Sequence, residues 1–192
     1  MERPIEESYI QSIMHQSIVV VFGLPGSGKS FFAEKLAEVL GASYFSSDQL
    51  RATLFSEKNY SLEAKEEVYR KMLGLANSAL ESGNDVVLDG TFYLKKWRDM
   101  VTENFKNLAS CHFIEIQASE ALIKERTSKR RPFSDANFIV YKQLRKAFEP
   151  MQEDHLEIVS TNSNIGEMIK TTLNYLQLKK REQWKPRRLD YC

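Results

Sequence analysis

The residues Gly23-Leu24-Pro25-Gly26-Ser27-Gly28-Lys29-Ser30 carry the most specific chemistry in this chain. They fit the pattern G-x-x-x-x-G-K-[ST]. An apolar run precedes them at 18–22 and a helical pattern follows from Phe31. That strand–loop–helix setting is the one in which the pattern binds phosphate. Glycine opens backbone angles closed to other residues, so consecutive N–H groups can wrap an anion. The next helix sets its positive dipole end beneath the same anion. Lys29 is placed to reach the terminal phosphates of a nucleoside triphosphate, and the Ser30 hydroxyl to bind Mg²⁺. The expected nucleotide contacts are Gly23, Pro25, Gly26, Ser27, Gly28, Lys29, Ser30 and Phe31.

Two further groups offer chemistry that a bound triphosphate needs. Ser46-Ser47-Asp48-Gln49-Leu50-Arg51 places a carboxylate three residues before a guanidinium, on one face if the segment is helical. A hydroxyl that accepts a phosphoryl group needs positioning and one carboxylate to take its proton. Asp48 is the candidate for that base and Arg51 for a contact to the acceptor. The bland alternative is that Asp48 caps a short helix and Arg51 pairs with it at the surface. Asp89-Gly90-Thr91 ends another apolar run. A carboxylate there holds Mg²⁺ directly or through water, as an alternative to a plain turn acid. Thr91 would support the metal or the acceptor. Arg126 and Arg130 share a helix face just before Arg131-Pro132. Arginines on a segment that closes over the phosphates neutralise charge in the transition state. The alternative is a solvated basic face with Lys124 and Lys129.

The elements that must hold these groups follow from periodicity. Strands are expected at 17–22, 42–46, 85–89, 111–117 and 157–160. Helices are expected at 29–40, stopped by Gly41, then 48–54, 62–82 behind a Ser61 cap, 94–106, 120–129 and 165–178. One more helix is expected from a Ser134 or Asp135 cap to about Phe148, ended by Pro150. Strands alternating with helices mean an α/β fold with a parallel sheet covered on both faces. Ligands then gather at the carboxyl ends of the strands. The loop 161–164, after the fifth strand, is the expected resting place of adenine. No N-K-x-D for guanine occurs, so ATP is the default nucleotide.

Composition sets the outer bounds. The 192 residues suit one domain, with hydrophobic residues at 42% and charged residues at 28%. No apolar run is long enough to span a bilayer, and residues 1–7 do not resemble a secretory signal. Cys111 and Cys192 match no metal or redox spacing, which fits a reduced, cytoplasmic setting. His15, His112 and His155 fall in no nucleophile or metal pattern and read as structural; Trp97 reads as packing. The net charge of +1 hides a basic tail at 179–192, with six Lys/Arg against two acids. The body before it carries about −3, unlike a nucleic-acid platform. The tail reads as solvated and poorly ordered. No feature requires a protein partner.

In their order along the chain, GLPGSGKS, SSDQLR, EVYRKML, DVVLDGTFYLKKWR, ERTSKRRPFSDA and FEP resemble the small P-loop kinases of the predicted-kinase group. That group is similar to polynucleotide 5′-hydroxyl kinases, to zeta-toxin-like kinases, and to kinase domains fused to aminoglycoside-phosphotransferase-like domains. The resemblance covers roughly residues 17–160. It implies a three-layer αβα fold with strand order 2-3-1-4-5 and a small helical lid. It also implies Lys29 on phosphate, Ser30 and Asp89 on Mg²⁺, Asp48 as general base, Arg51 on the acceptor, and Arg126 and Arg130 in the lid. The leading expectation is a Mg²⁺- and ATP-dependent kinase acting on a hydroxyl, either a nucleic-acid 5′ end or a small metabolite. The alternative is a switch or binding module that hydrolyses ATP without phosphorylating an acceptor.

Overall fold

A central parallel sheet of five strands carries helices on both of its faces. The computed structural model describes residues 16–57, 59–129 and 136–183. The strands are β1 (Ser17–Phe22), β2 (Ser43–Ser46), β3 (Val86–Asp89), β4 (Ser110–Gln117) and β5 (Leu156–Val159). The helices are α1 (Lys29–Leu40), α2 (Ser47–Leu54), α3 (Leu62–Glu81), α4 (Lys95–Phe105), α5 (Glu120–Ser128), α6 (Phe138–Ala147) and α7 (Ile165–Gln183). The order across the sheet is β2-β3-β1-β4-β5, with every pair parallel. This is the order that the resemblance implies.

All six residues of β1 are buried, in keeping with the apolar run 18–22 that follows Ser17. Alternation along it supplies two cores. Ile18, Val20 and Phe22 face α3 and α4, where Tyr69, Met72, Trp97, Val101 and Phe105 close the layer. Val19 and Val21 face α1 and α7, meeting Phe32, Leu36, Met168 and Leu176. Each large side chain fully withdrawn from water contributes about 1.5–3 kcal/mol.

The expected elements are all present, with ends shifted by a residue or two except at two helices. α6 starts at Phe138, and its cap is Asn137, whose side chain accepts from the N–H of Ile139 and Val140. Asn137 thus replaces the expected Ser134 or Asp135 cap, and those two lie outside the described residues. α7 runs to Gln183, so the first residues of the expected tail are helical. Lys179 there pairs with Asp154 at 2.8 Å.

Register brings the chemistry together. Asp89, the last residue of β3, lies beside Val21 of β1 and Ser46 of β2. The loop after β1, the turn after β3 and the start of α2 therefore leave the sheet at one level. No described helix is long and apolar enough to cross a membrane.

Candidate active site

The loop between β1 and α1 has three glycines at positive φ: Gly23 at 143°, Gly26 at 83° and Gly28 at 96°. Gly23 is required twice over, because a Cβ there would lie 2.4 Å from the Ile116 carbonyl oxygen. The loop closes through the Ser27 N–H to the Leu24 carbonyl at 3.2 Å, and α1 begins with Phe32 N–H to the Gly28 carbonyl at 3.1 Å. Lys29 opens α1 and is buried in the cleft wall.

A cleft of about 570 Å³ runs from this loop to the start of α2. Gly26, Gly28, Lys29, Ser30 and Phe31 line one part; Tyr44, Ser46, Asp48 and Gln49 line another. Arg126, Lys129, Thr161 and Asn162 form a third side. Asp48 lies in the first turn of α2, whose cap is Ser46, so it is not the helix cap.

Asp89 is buried at the end of β3, behind the cleft-lining Tyr44 and Ser46 and not itself part of the lining. Its Oδ2 accepts from the Tyr44 hydroxyl at 3.0 Å. Its Oδ1 is shut from solvent without a hydrogen-bond partner among the described residues. Burial pushes its pKa up, opposed by the Lys29 charge and the Ser30 hydroxyl nearby. Tyr44 is driven upward by its own burial and by Asp89, so it stays a neutral donor. An unpartnered buried carboxylate oxygen beside a hydroxyl is a hard-oxygen donor set that fits Mg²⁺.

Arg51 and Thr91 are not among the cleft-lining residues. Arg51 Nη1 donates to the Asn59 carbonyl at 2.8 Å, and its guanidinium covers the Tyr60 ring at 5.0 Å. Its Nε is buried with no partner among the described residues. Asp48 and Arg51 both lie near enough to Tyr69 to act on its hydroxyl, whose pKa burial raises to about 12.

Arg126 is held by the loop itself. Nη1 donates to Ser27 O at 3.0 Å, Ser160 Oγ at 2.8 Å and Gly26 O at 3.4 Å. Nη2 donates to Thr161 O at 2.8 Å and Asn162 Oδ1 at 3.2 Å. The Ser160 hydroxyl also donates to Ser27 O. Arg130 lies outside the described residues.

Sequence reasoning reached Thr91 in the turn after Asp89 but passed over Phe92 and the arginine that holds it. Phe92 has φ 40°, unusual for a bulky residue. The Phe92 N–H donates to Tyr69 Oη at 3.1 Å. Buried Arg98 donates to Phe92 O at 2.7 Å and Glu149 O at 2.8 Å. A signal was available: Arg98 shares the apolar stripe of Val101 and Phe105, where an arginine needs buried acceptors.

Residues 18–151 match the family model AAA_33, described as an AAA domain. This chain belongs to that family. The AAA_33 match covers the loop, both carboxylates and Arg126 together. A thermoresistant gluconokinase of Escherichia coli (strain K12) is 32% identical over 141 residues, 71% of this chain and 77% of that protein. A probable gluconokinase of Dictyostelium discoideum is 23% identical over 173 residues, 83% of this chain and 86% of that one. Among solved structures, a gluconokinase from Sinorhizobium meliloti 1021 aligns with TM-score 0.67 at 18% identity, covering 88% of this chain and 95% of that one. That likeness shows the fold: this AAA_33 member has the sheet order of P-loop kinases.

Proposed function

We propose that the chain is a kinase that uses ATP and Mg²⁺ to phosphorylate a hydroxyl of a small, acidic polyol. The observation that carries this is the placement of Asp48 on the same cleft as Lys29 and Ser30. A switch needs a carboxylate for Mg²⁺, the part proposed for Asp89, but no acceptor site and so no second carboxylate such as Asp48. The names of the relatives favour an acid sugar over a nucleic-acid end.

In this reading the triphosphate lies on the N–H groups of the loop, with Lys29 on its terminal phosphates. Asp48 takes the proton of the acceptor hydroxyl as that oxygen bonds to the γ-phosphorus and the bond to the β-phosphate oxygen breaks, leaving ADP. Ser30 and Asp89 would hold Mg²⁺, which neutralises charge on the phosphates when bound. Arg51, three residues after Asp48 on α2, is the proposed contact to an acceptor carboxylate, for which its guanidinium has to turn from the Asn59 carbonyl toward the cleft.

The test is transfer of the ATP γ-phosphate to gluconate, to neutral sugars and to a 5′-hydroxyl oligonucleotide in parallel. Phosphorylated gluconate is expected. Asp48→Asn is expected to lower kcat by about 10²–10⁴-fold while ATP binding stays within a few-fold. Product from the oligonucleotide alone would overturn the small-acid reading. ADP release with no phosphorylated acceptor would return the chain to the switch reading.

A further inference from the structure

The cluster formed by Glu115, His155 and Glu157 stands apart from the nucleotide cleft, none of whose walls it lines. Glu115 of β4 and Glu157 of β5 are direct cross-strand partners, and His155 lies two residues before Glu157. Residues two apart along an extended chain share a face, so the register alone gathers three ligand-type side chains. One ligand atom from each lies within 4.8 Å of the others.

The histidine is oriented as a metal ligand would be. Its Nδ1 lies 2.8 Å from the Glu153 carbonyl. A carbonyl only accepts, so Nδ1 carries a proton, and whenever the ring is neutral its lone pair sits on Nε2. Nε2 points at Glu115 Oε2 at 3.7 Å and Glu157 Oε1 at 3.4 Å. It is closed off from solvent and makes no hydrogen bond among the described residues. A lone pair enclosed with two carboxylate oxygens is unfavourable unless a cation lies between them.

The carboxylates are oriented too. The Gln117 amide donates to Glu115 Oε1 at 3.2 Å and to Glu157 Oε2 at 3.3 Å. Each glutamate thus gives one oxygen to Gln117 and turns the other toward His155. Outer partners that fix the free lone pairs of inner ligands are a regular feature of metal sites. Zinc bonds of about 2.0–2.2 Å at tetrahedral angles place neighbouring ligand atoms roughly 3.3–3.6 Å apart. The two histidine–carboxylate separations are close to that spacing and are long for hydrogen bonds.

We propose that Glu115, His155 and Glu157 form a binding site for a divalent transition ion of the zinc type, distinct from the nucleotide's Mg²⁺. One imidazole and two carboxylates suit zinc over magnesium, and three protein ligands leave one position for water. The ion fastens β5 and the segment before it to β4. That segment carries Phe148, stacked on Phe22 at 6.4 Å, and Glu149, which accepts from the Lys95 N–H. The ion is a clasp on the return from α6 to the sheet, with no part in the phosphoryl step.

The experiment uses the full chain stripped with chelator and titrated with Co²⁺, followed by visible absorption. One Co²⁺ per chain with tetrahedral bands is expected, displaced by Zn²⁺. Zn²⁺ at about 100 times its Kd is expected to raise Tm by about 5–10 °C. Asp89→Asn should keep this response, which separates it from the nucleotide site. His155→Gln should abolish it, and Gln117→Leu should weaken binding about 10–100-fold. Glu157→Gln, at an exposed side chain, tests the same point if His155→Gln fails to fold. No uptake, or uptake unchanged in both His155→Gln and Glu157→Gln, would overturn the proposal. His155 remaining protonated at neutral pH with Zn²⁺ present would do the same, since the cation would then be a proton.

Discussion

At the scale of single residues, Asp89 is where burial and charge are most directly opposed. Burial raises its pKa above the ordinary carboxylate value, and its Oδ1 has no partner among the described residues. The unfolded chain ionises this group first. Folding therefore becomes less favourable as pH climbs from the unfolded value through the raised one, and above that the penalty is complete. Below the unfolded value both states are protonated and the penalty vanishes. Asp89→Asn is accordingly expected to raise the Tm of the nucleotide-free protein at pH 7.5, by about 2–4 °C for each kcal/mol relieved. The gain should shrink as the pH approaches 4. Turnover of ATP should fall at the same time, since the carboxylate that suits Mg²⁺ is gone. Melting curves at several pH values check the sign; a variant less stable than the parent at every pH would show that the Lys29 charge outweighs the burial.

Among the elements, the turn after β3 is the least ordinary. Phe92 holds a left-handed backbone angle, fully buried, with its ring 4.6 Å from that of Tyr69. The hydroxyl of Tyr69, from the middle of α3, is what the Phe92 N–H donates to. Tyr69→Phe keeps the ring and leaves that N–H buried without its partner. The expected cost is about 1–3 kcal/mol, read as a Tm fall of roughly 3–10 °C. This turn was not legible in the sequence, because Gly90 is the residue that invites a special angle and the positive φ sits two positions later. The loop after β1 was legible, since its motif and the apolar run before it fix both chemistry and place. The cap of α6 was ambiguous: Ser134, Asp135 and Asn137 are all good caps within four positions, and only the backbone chooses. The pairing of Glu115 with Glu157 depends on which strands are neighbours. That information is held in no local pattern, so His155 read as a lone structural histidine.

Across the whole molecule, one side chain joins three stretches that are far apart in sequence. Arg126 of α5 reaches carbonyls of the phosphate loop about 100 positions earlier and the segment 160–162 after β5. The sequence displayed the donor but not its partners, because three of the five are backbone carbonyls that carry no residue identity. The expectation from sequence was an arginine closing over the transferring phosphates. In this structure the side chain lines the cleft with its donors taken up by loop carbonyls and the segment 160–162, and we propose that it holds that loop and the proposed adenine side in register. A guanidinium supplies several donors in a fixed fork, which an ammonium does not reproduce. Arg126→Ala and Arg126→Lys are therefore both expected to raise the KM for ATP about tenfold or more, to change kcat only a few-fold, and to lower Tm by roughly 5–10 °C for a loss of about 2–3 kcal/mol. Steady-state kinetics at varied ATP separates this from the alternative. An arginine that touches the transferring phosphoryl group contributes about 10³–10⁵-fold to kcat. A collapse of kcat on that scale, with KM unchanged, would mean that Arg126 leaves these carbonyls during turnover for the transferring phosphoryl group.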